Sequence, residues 1–182
     1  AFISSLVPVA NSAPDPRVSR AHDSYLAWSD CPANALGEIR LGELVSGLSA
    51  RLPQDAIITN GAGNYTAWVH RFYRFRGFQT QFAPTSGSMG YGLPAAIAAK
   101  LRFPDRTVVC FAGDGCLQMT IAELATARQF GAAIIVLVID NGSYGTIRMH
   151  QERRYPDRVM ATDLVNPDFA AVARAYGLFS AT

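Results

Sequence analysis

Three short stretches of this chain are apolar without polar alternation: "AIIT" (56–59), "TVVCFAG" (107–113) and "AIIVLVID" (133–140). Runs of that length suit strands covered on both faces. Segments with apolar residues at helical spacing lie between and after them, around Tyr65 to Phe72, Gly90 to Leu101, Thr120 to Phe130 and Pro167 to Tyr176. Such alternation predicts an α/β fold, a parallel sheet flanked by helices on both faces. Two further helices are predicted upstream. One covers Arg17 to Asp30, with Val18, Ala21, Tyr25 and Trp28 on one stripe, and the other covers Leu41 to Leu52. "PVANSAPDP", Pro8 to Pro16, sets three prolines among turn formers and predicts a linker and boundary.

Composition changes this picture little. Over 182 residues, 49% hydrophobic and 16% charged is a globular balance. A net charge of +2 supplies no bulk attraction for nucleic acid or membrane, so neither is an expected partner. No apolar run reaches the roughly 18 residues of a membrane span, and no basic region precedes the short apolar stretch at the N-terminus. Cys31, Cys110 and Cys116 are odd in number and form no CxxC pair, which fits a reducing compartment. The chain therefore reads as soluble, with the cytoplasm as its expected location. It starts with Ala and stops at "YGLFSAT", directly after a helical pattern, so a longer parent protein is expected.

In open parallel sheets, ligands sit beyond the carboxyl ends of the strands. Those ends carry unusual chemistry here: "TNGAGNY" after the first run, "GDGC" after the second and "DNGSYG" after the third. Asp114 and Asn141 are 27 positions apart, room for one helix and one return strand, which would set a carboxylate beside a carboxamide. Hard cations such as Mg2+ take oxygen ligands and share them with substrate phosphates. Gly113 and Gly115 let backbone approach a phosphate, and amides after Gly115 can donate to it. Alone, however, Gly-Asp-Gly is also a turn that favours these residue types.

The wider pattern is more specific. "GDG", 24 residues, then Asp140-Asn141 and "GSYG" resembles the thiamine diphosphate motif of the family containing acetolactate synthase, benzoylformate decarboxylase and pyruvate decarboxylase. The resemblance continues through "PTSGSMGYGLPAAIAAKL" (Pro84 to Leu101) and "NGAGNYTAW" (Asn60 to Trp68), and covers roughly Leu36 to Gly177. It implies Asp114, the Asn141 side chain and the Ser143 main-chain carbonyl as Mg2+ ligands. It implies backbone of Gly115, Cys116, Tyr144 and Gly145 along the diphosphate. Gly87 and Ser88, in "GSMG", would meet the cofactor, the Gly87 carbonyl accepting from its 4′-amino group. Met89 resembles the bulky residue that bends the cofactor, and Asn64 and Tyr65 resemble a polar pair at the diphosphate.

Several larger expectations follow from the resemblance. The chain would belong to a thiamine diphosphate- and Mg2+-dependent lyase or carboligase acting on 2-keto acids. Residues 1–35 would be the exit of a central domain, which can carry FAD, and residues 36–182 the diphosphate domain, truncated at its C-terminus. The activating glutamate would come from a pyrimidine domain of a partner subunit, so a homodimer or homotetramer with interfacial sites is expected. No catalytic residue is assignable within the chain, and alone it should not turn over. The alternative is a noncatalytic remnant that keeps the fold for binding or assembly. Departures from the family pattern bear on the substrate, not on the cofactor. Asp140 stands where the family usually has Asn. His150, a candidate substrate-channel residue, stands where acetolactate synthases have Trp, and Arg148 and Met149 also differ from them.

Other readings are weaker. "GAGNYT" is GxGxxG without its third glycine, and no acid lies between Asp55 and Asp105 to hold a ribose. "VHRFYRFRGF" opens like an RNA-binding strand, but Gln79 breaks the pattern. An amphipathic helix with Trp68, Phe72 and Phe75 inward and arginines outward explains it. His22 and His70 read as partly solvated helix residues, Cys116 as a small residue beside phosphate rather than a nucleophile, and Glu123 as a surface acid.

Overall fold

A computed structural model describes residues 15–30 and 39–182. Cys31, most of the predicted linker and the proposed division at residues 35–36 lie outside the described residues. Helix α1 (Pro16–Ser29) starts on Asp15, whose side chain accepts from the Arg17 amide, with Pro16 at the first helical position. After it come α2 (Leu41–Arg51), β1 (Ile57–Asn60), α3 (Thr66–Phe72), β2 (Gln81–Phe82), α4 (Gly92–Arg102) and β3 (Val108–Gly113). The chain continues through α5 (Asp114–Thr120), α6 (Glu123–Gln129), β4 (Ile135–Ile139), α7 (Gly145–Arg154) and α8 (Phe169–Ala175).

All strand pairs are parallel, in the order β2-β1-β3-β4. Successive side chains along the strands serve opposite faces, and each face has its own core. Ile57, Val108, Cys110 and Ala112 pack on Leu93, Ala96 and Ile97 of α4, Leu117 of α5 and Leu124 of α6. Ile58, Val109 and Phe111 pack on Val45 of α2 and Val69 and Phe72 of α3. The uninterrupted apolar runs thus serve two helical layers.

Local details differ from the sequence reading. The two-residue β2 was not predicted, being too short to carry a period. The helix expected over Thr120 to Phe130 begins at Asp114 and is broken into α5 and α6. Of the three aromatics expected to face inward on α3, Phe72 is buried, Trp68 is 42% exposed, and Phe75 lies past the helix end against Tyr73, with ring centroids 4.9 Å apart. The arginines are not simply outward either. Arg71 stacks over the rings of Trp28 and Phe72 and donates to the Trp28 carbonyl at 2.7 Å, while Arg74 pairs with Asp30. The Arg-aromatic interleaving docks α1 onto α3.

Candidate functional site

From β1 the chain steps to β2 on one side of the sheet; β3 and β4 then add on the other. The connections diverge between β1 and β3, where a parallel sheet leaves a crevice at its carboxyl edge. A cavity of ≈ 270 Å³ lies there. Four loops line it. Asn64 and Tyr65 follow β1, Gly87 and Met89 precede α4, Gly113 to Cys116 join β3 to α5, and Asn141, Ser143, Tyr144 and Gly145 follow β4. Of the sequence-predicted residues, Ser88 does not line it; its hydroxyl pairs with that of Ser86 at 2.8 Å in an exposed loop. His150 is exposed on α7, also away from the wall. Ala62, Gly63, Ile139, Thr146 and Ile147 complete the lining and carried no signal in the sequence beyond their neighbours.

Asp114 is the first residue of α5 and only 3% exposed. Its Oδ1 accepts from the Gly115 amide at 2.9 Å, and its Oδ2 from Asn166 Nδ2 at 2.7 Å. A carboxylate is retained in such a place only with partners, because burial of an unpaired charge is costly. Gly115 permits close packing here: a Cβ would lie 2.6 Å from the Tyr144 ring.

The loop after β4 is shaped by two nested side-chain turns. Asp140 Oδ1 accepts from the Gly142 amide at 3.0 Å, and Asn141 Oδ1 from the Ser143 amide at 3.1 Å. A strap, residues 160–166, runs alongside. The Tyr144 amide donates to the Thr162 carbonyl and the Leu164 amide to the Gly142 carbonyl, each at 2.8 Å, and Ser143 Oγ donates to Thr162 O at 3.0 Å. Glycine at position 145 leaves room for Asn141, since a Cβ there would meet Asn141 Nδ2 at 2.9 Å.

On the β1 side, Thr146 Oγ1 accepts from the Asn64 amide at 2.9 Å and donates to Asn64 Oδ1 at 3.0 Å, fastening this loop to the start of α7. The Tyr65 hydroxyl accepts from the Gly61 amide and donates to the Phe111 carbonyl, and burial holds its pKa well above the usual tyrosine value. The Cys116 thiol donates to the Ala62 carbonyl at 2.9 Å, a bracing contact between loops. His70, on α3, sets its ring Nε2 3.4 Å from Asn60 Oδ1, and burial lowers its pKa.

Asp114, Asn141 and Ser143 line one cavity, and a carboxylate, a carboxamide and a main-chain carbonyl are oxygen donors of the kind that suits Mg2+. Among the described residues no group of three or more His, Cys, Asp or Glu side chains is placed to hold a metal ion. The residues present fit a hard cation shared with a phosphate.

A family profile described as "Thiamine pyrophosphate enzyme, C-terminal TPP binding domain" matches residues 61–182. The chain is 39% identical over 137 residues to the mitochondrial acetolactate synthase catalytic subunit of Aspergillus candidus, covering 75% of this chain and 20% of that protein. To the acetolactate synthase large subunit of Lactococcus lactis it is 38% identical over 143 residues, covering 78% and 25%. Among solved structures it is similar to the thiamine diphosphate-dependent 4-hydroxybenzoylformate decarboxylase of Rhodococcus jostii RHA1. There the TM-score is 0.75 at 28% identity, over 81% of this chain and 28% of that one. The chain thus spans a quarter or less of the length of these two acetolactate synthases. The family profile match covers more than half of the sequence, and the chain belongs to the C-terminal TPP-binding domain family of thiamine pyrophosphate enzymes.

Proposed function

We propose that the chain is the diphosphate- and Mg2+-binding part of a thiamine diphosphate-dependent lyase or carboligase that acts on 2-keto acids. The observation that carries this reading is the convergence of Asp114, Asn141 and Ser143, from the ends of adjacent strands β3 and β4, on one cavity that the loop after β1 closes. The ≈ 270 Å³ cavity lies near the lower end of the roughly 300–1,000 Å³ of small-molecule sites. In this reading the active site is completed by another domain, in an assembly of at least two subunits.

In this reading Asp114, Asn141 Oδ1 and the Ser143 carbonyl hold the cation, whose charge offsets that of the diphosphate. Backbone around Gly115, Cys116, Tyr144 and Gly145 would line the phosphates, and Met89, in the same lining, would support the cofactor. The cofactor, when bound, supplies the carbon nucleophile for the 2-keto acid carbonyl. In this reading the part of this chain is to bind and orient the cofactor. Residues 36–182 form the diphosphate domain of a longer enzyme whose preceding domain can carry FAD. The acetolactate synthase names of the relatives and the decarboxylase name of the structural neighbour favour a 2-keto acid substrate.

The test is calorimetric. Thiamine diphosphate titrated into the protein should bind only with Mg2+ present, and Asp114→Ala should remove that binding; Mg2+-independent binding, or unchanged affinity in the variant, overturns the assignment. In the enzyme assembled with its other domains, carbon dioxide release from pyruvate, benzoylformate and glyoxylate then separates the substrate classes. Release from none of them favours the noncatalytic remnant.

A further inference from the structure

Asn166 sits 25 residues beyond Asn141, in the strap before α8, and no motif marks it. Its Nδ2 donates to Asp114 Oδ2 and to Asp140 Oδ1, each at 2.7 Å. Both acids are therefore bound to one nitrogen, and the two oxygens can be separated by no more than twice that distance. Gln118 Nε2, on α5, donates to Asn166 Oδ1 at 2.6 Å. That last bond, with the two acids, determines which way the amide faces: a flip would turn Oδ1 onto two carboxylates and Nδ2 onto another amide nitrogen. Every hydrogen of the Asn166 amide group is committed to an acid, and its oxygen to a fixed donor.

We propose that Asn166 is the positioning residue of the cation site: its amide clamps Asp140, which lies outside the cavity lining, beside Asp114, so that a second negative charge supports an ion held by Asp114. This rests on the reading of Asp114 as a cation ligand. The physical need is plain. Two carboxylates this close repel, and without the bridge Asp140 would turn toward water, being exposed and, among the described residues, held besides only by its own turn to Gly142. An amide with two hydrogens is the neutral side chain that can bridge them without adding charge. Asp140 then adds a negative charge within reach of an ion on Asp114 and strengthens its retention. The strap, tied to Gly142, Ser143 and Tyr144 by three hydrogen bonds, carries Asn166 to this point and couples it to the Asn141 loop. Partners that orient metal ligands typically matter by 10–100-fold in metal affinity.

The test is a double-mutant cycle read by Mn2+ binding to the 182-residue protein with thiamine diphosphate present, following free Mn2+ by electron paramagnetic resonance, with folding checked by circular dichroism. Asn166→Ala is expected to weaken Mn2+ binding by about tenfold or more. Asp140→Asn is expected to weaken it less, and the double variant to bind no more weakly than Asn166→Ala alone, because Asp140 acts through the clamp. Gln118→Ala, a change at an exposed helix position, should loosen binding by a few-fold without affecting the fold even if Asn166→Ala proves unstable. Unchanged affinity in Asn166→Ala and Gln118→Ala, or fully multiplicative effects of Asn166→Ala and Asp140→Asn, overturns the clamp while leaving the cation site standing. No Mn2+ binding by the unaltered protein overturns the cation site itself, and the clamp with it.

Discussion

β3 brings Asp114 from the middle of the sheet, between β1 and β4, and all six of its residues are buried. β4 brings Asn141 from the sheet edge, with Ile135 49% exposed and the rest of the strand half-buried. The two ends of the proposed cation site are therefore held by different forces. Asp114 is placed by the packing of two cores on either side of β3, which no solvent fluctuation reaches. Asn141 is placed by hydrogen bonds: two side-chain turns and the strap at residues 160–166. A site built this way has one rigid ligand and one whose position depends on polar contacts, each worth only about 0.5–1.5 kcal/mol net. Adjustment on binding should be concentrated on the β4 side.

That contrast can be broken first at its rigid end. Asp114→Ala should lower Mg2+-dependent affinity for thiamine diphosphate by at least about 100-fold, more than a supporting residue would, as read by calorimetry. Next, Gly115→Ala drives a methyl group into the Tyr144 ring, at the junction of the two halves. Overpacking costs about 1–3 kcal/mol in urea unfolding, and the low end would mean that the Tyr144 side yields. Alkaline pH tests the buried groups, Cys110 on β3 together with Tyr65 after β1. Burial pushes the Cys110 thiol from an ordinary value near 9 up to about 12. A raised pKa on an acid means that the unfolded chain loses its proton first, so stability falls as pH rises from about 9 to about 12. The slope is up to about 1.4 kcal/mol per pH unit, measurable by denaturation across that range. Below pH 9 Cys110 should stay unlabelled by thiol reagents while the protein is folded.

The smallest expected effect is on the strap. Thr162 Oγ1 is buried without a hydrogen-bond partner among the described residues. Thr162→Val removes that orphan hydroxyl at nearly constant shape, and should leave the melting temperature unchanged or raise stability by up to about 1 kcal/mol. A clear loss would mean that the hydroxyl has a role in holding the strap, and would shift weight to the polar half.

The sequence by itself determined the layered α/β plan and the place of its chemistry. Unalternated runs at 107–113 and 133–140 between helical segments suit strands of a parallel sheet, and a polar residue at the end of each then emerges at one edge of it. Asp114, Asn141 and the glycines between strand and helix were legible because their signal is local. What only the tertiary structure decided is which distant side chains meet. Thr146 fastens Asn64, Trp68 stays exposed while Arg71 covers Trp28, and Asn166 folds back to join Asp114 with Asp140. Those contacts depend on how a strap and two loops pack at the mouth of a crevice, and hydrophobic period carries no record of that. Periodicity reports which face of an element is dry; it does not report what a polar residue in a loop will find across the gap.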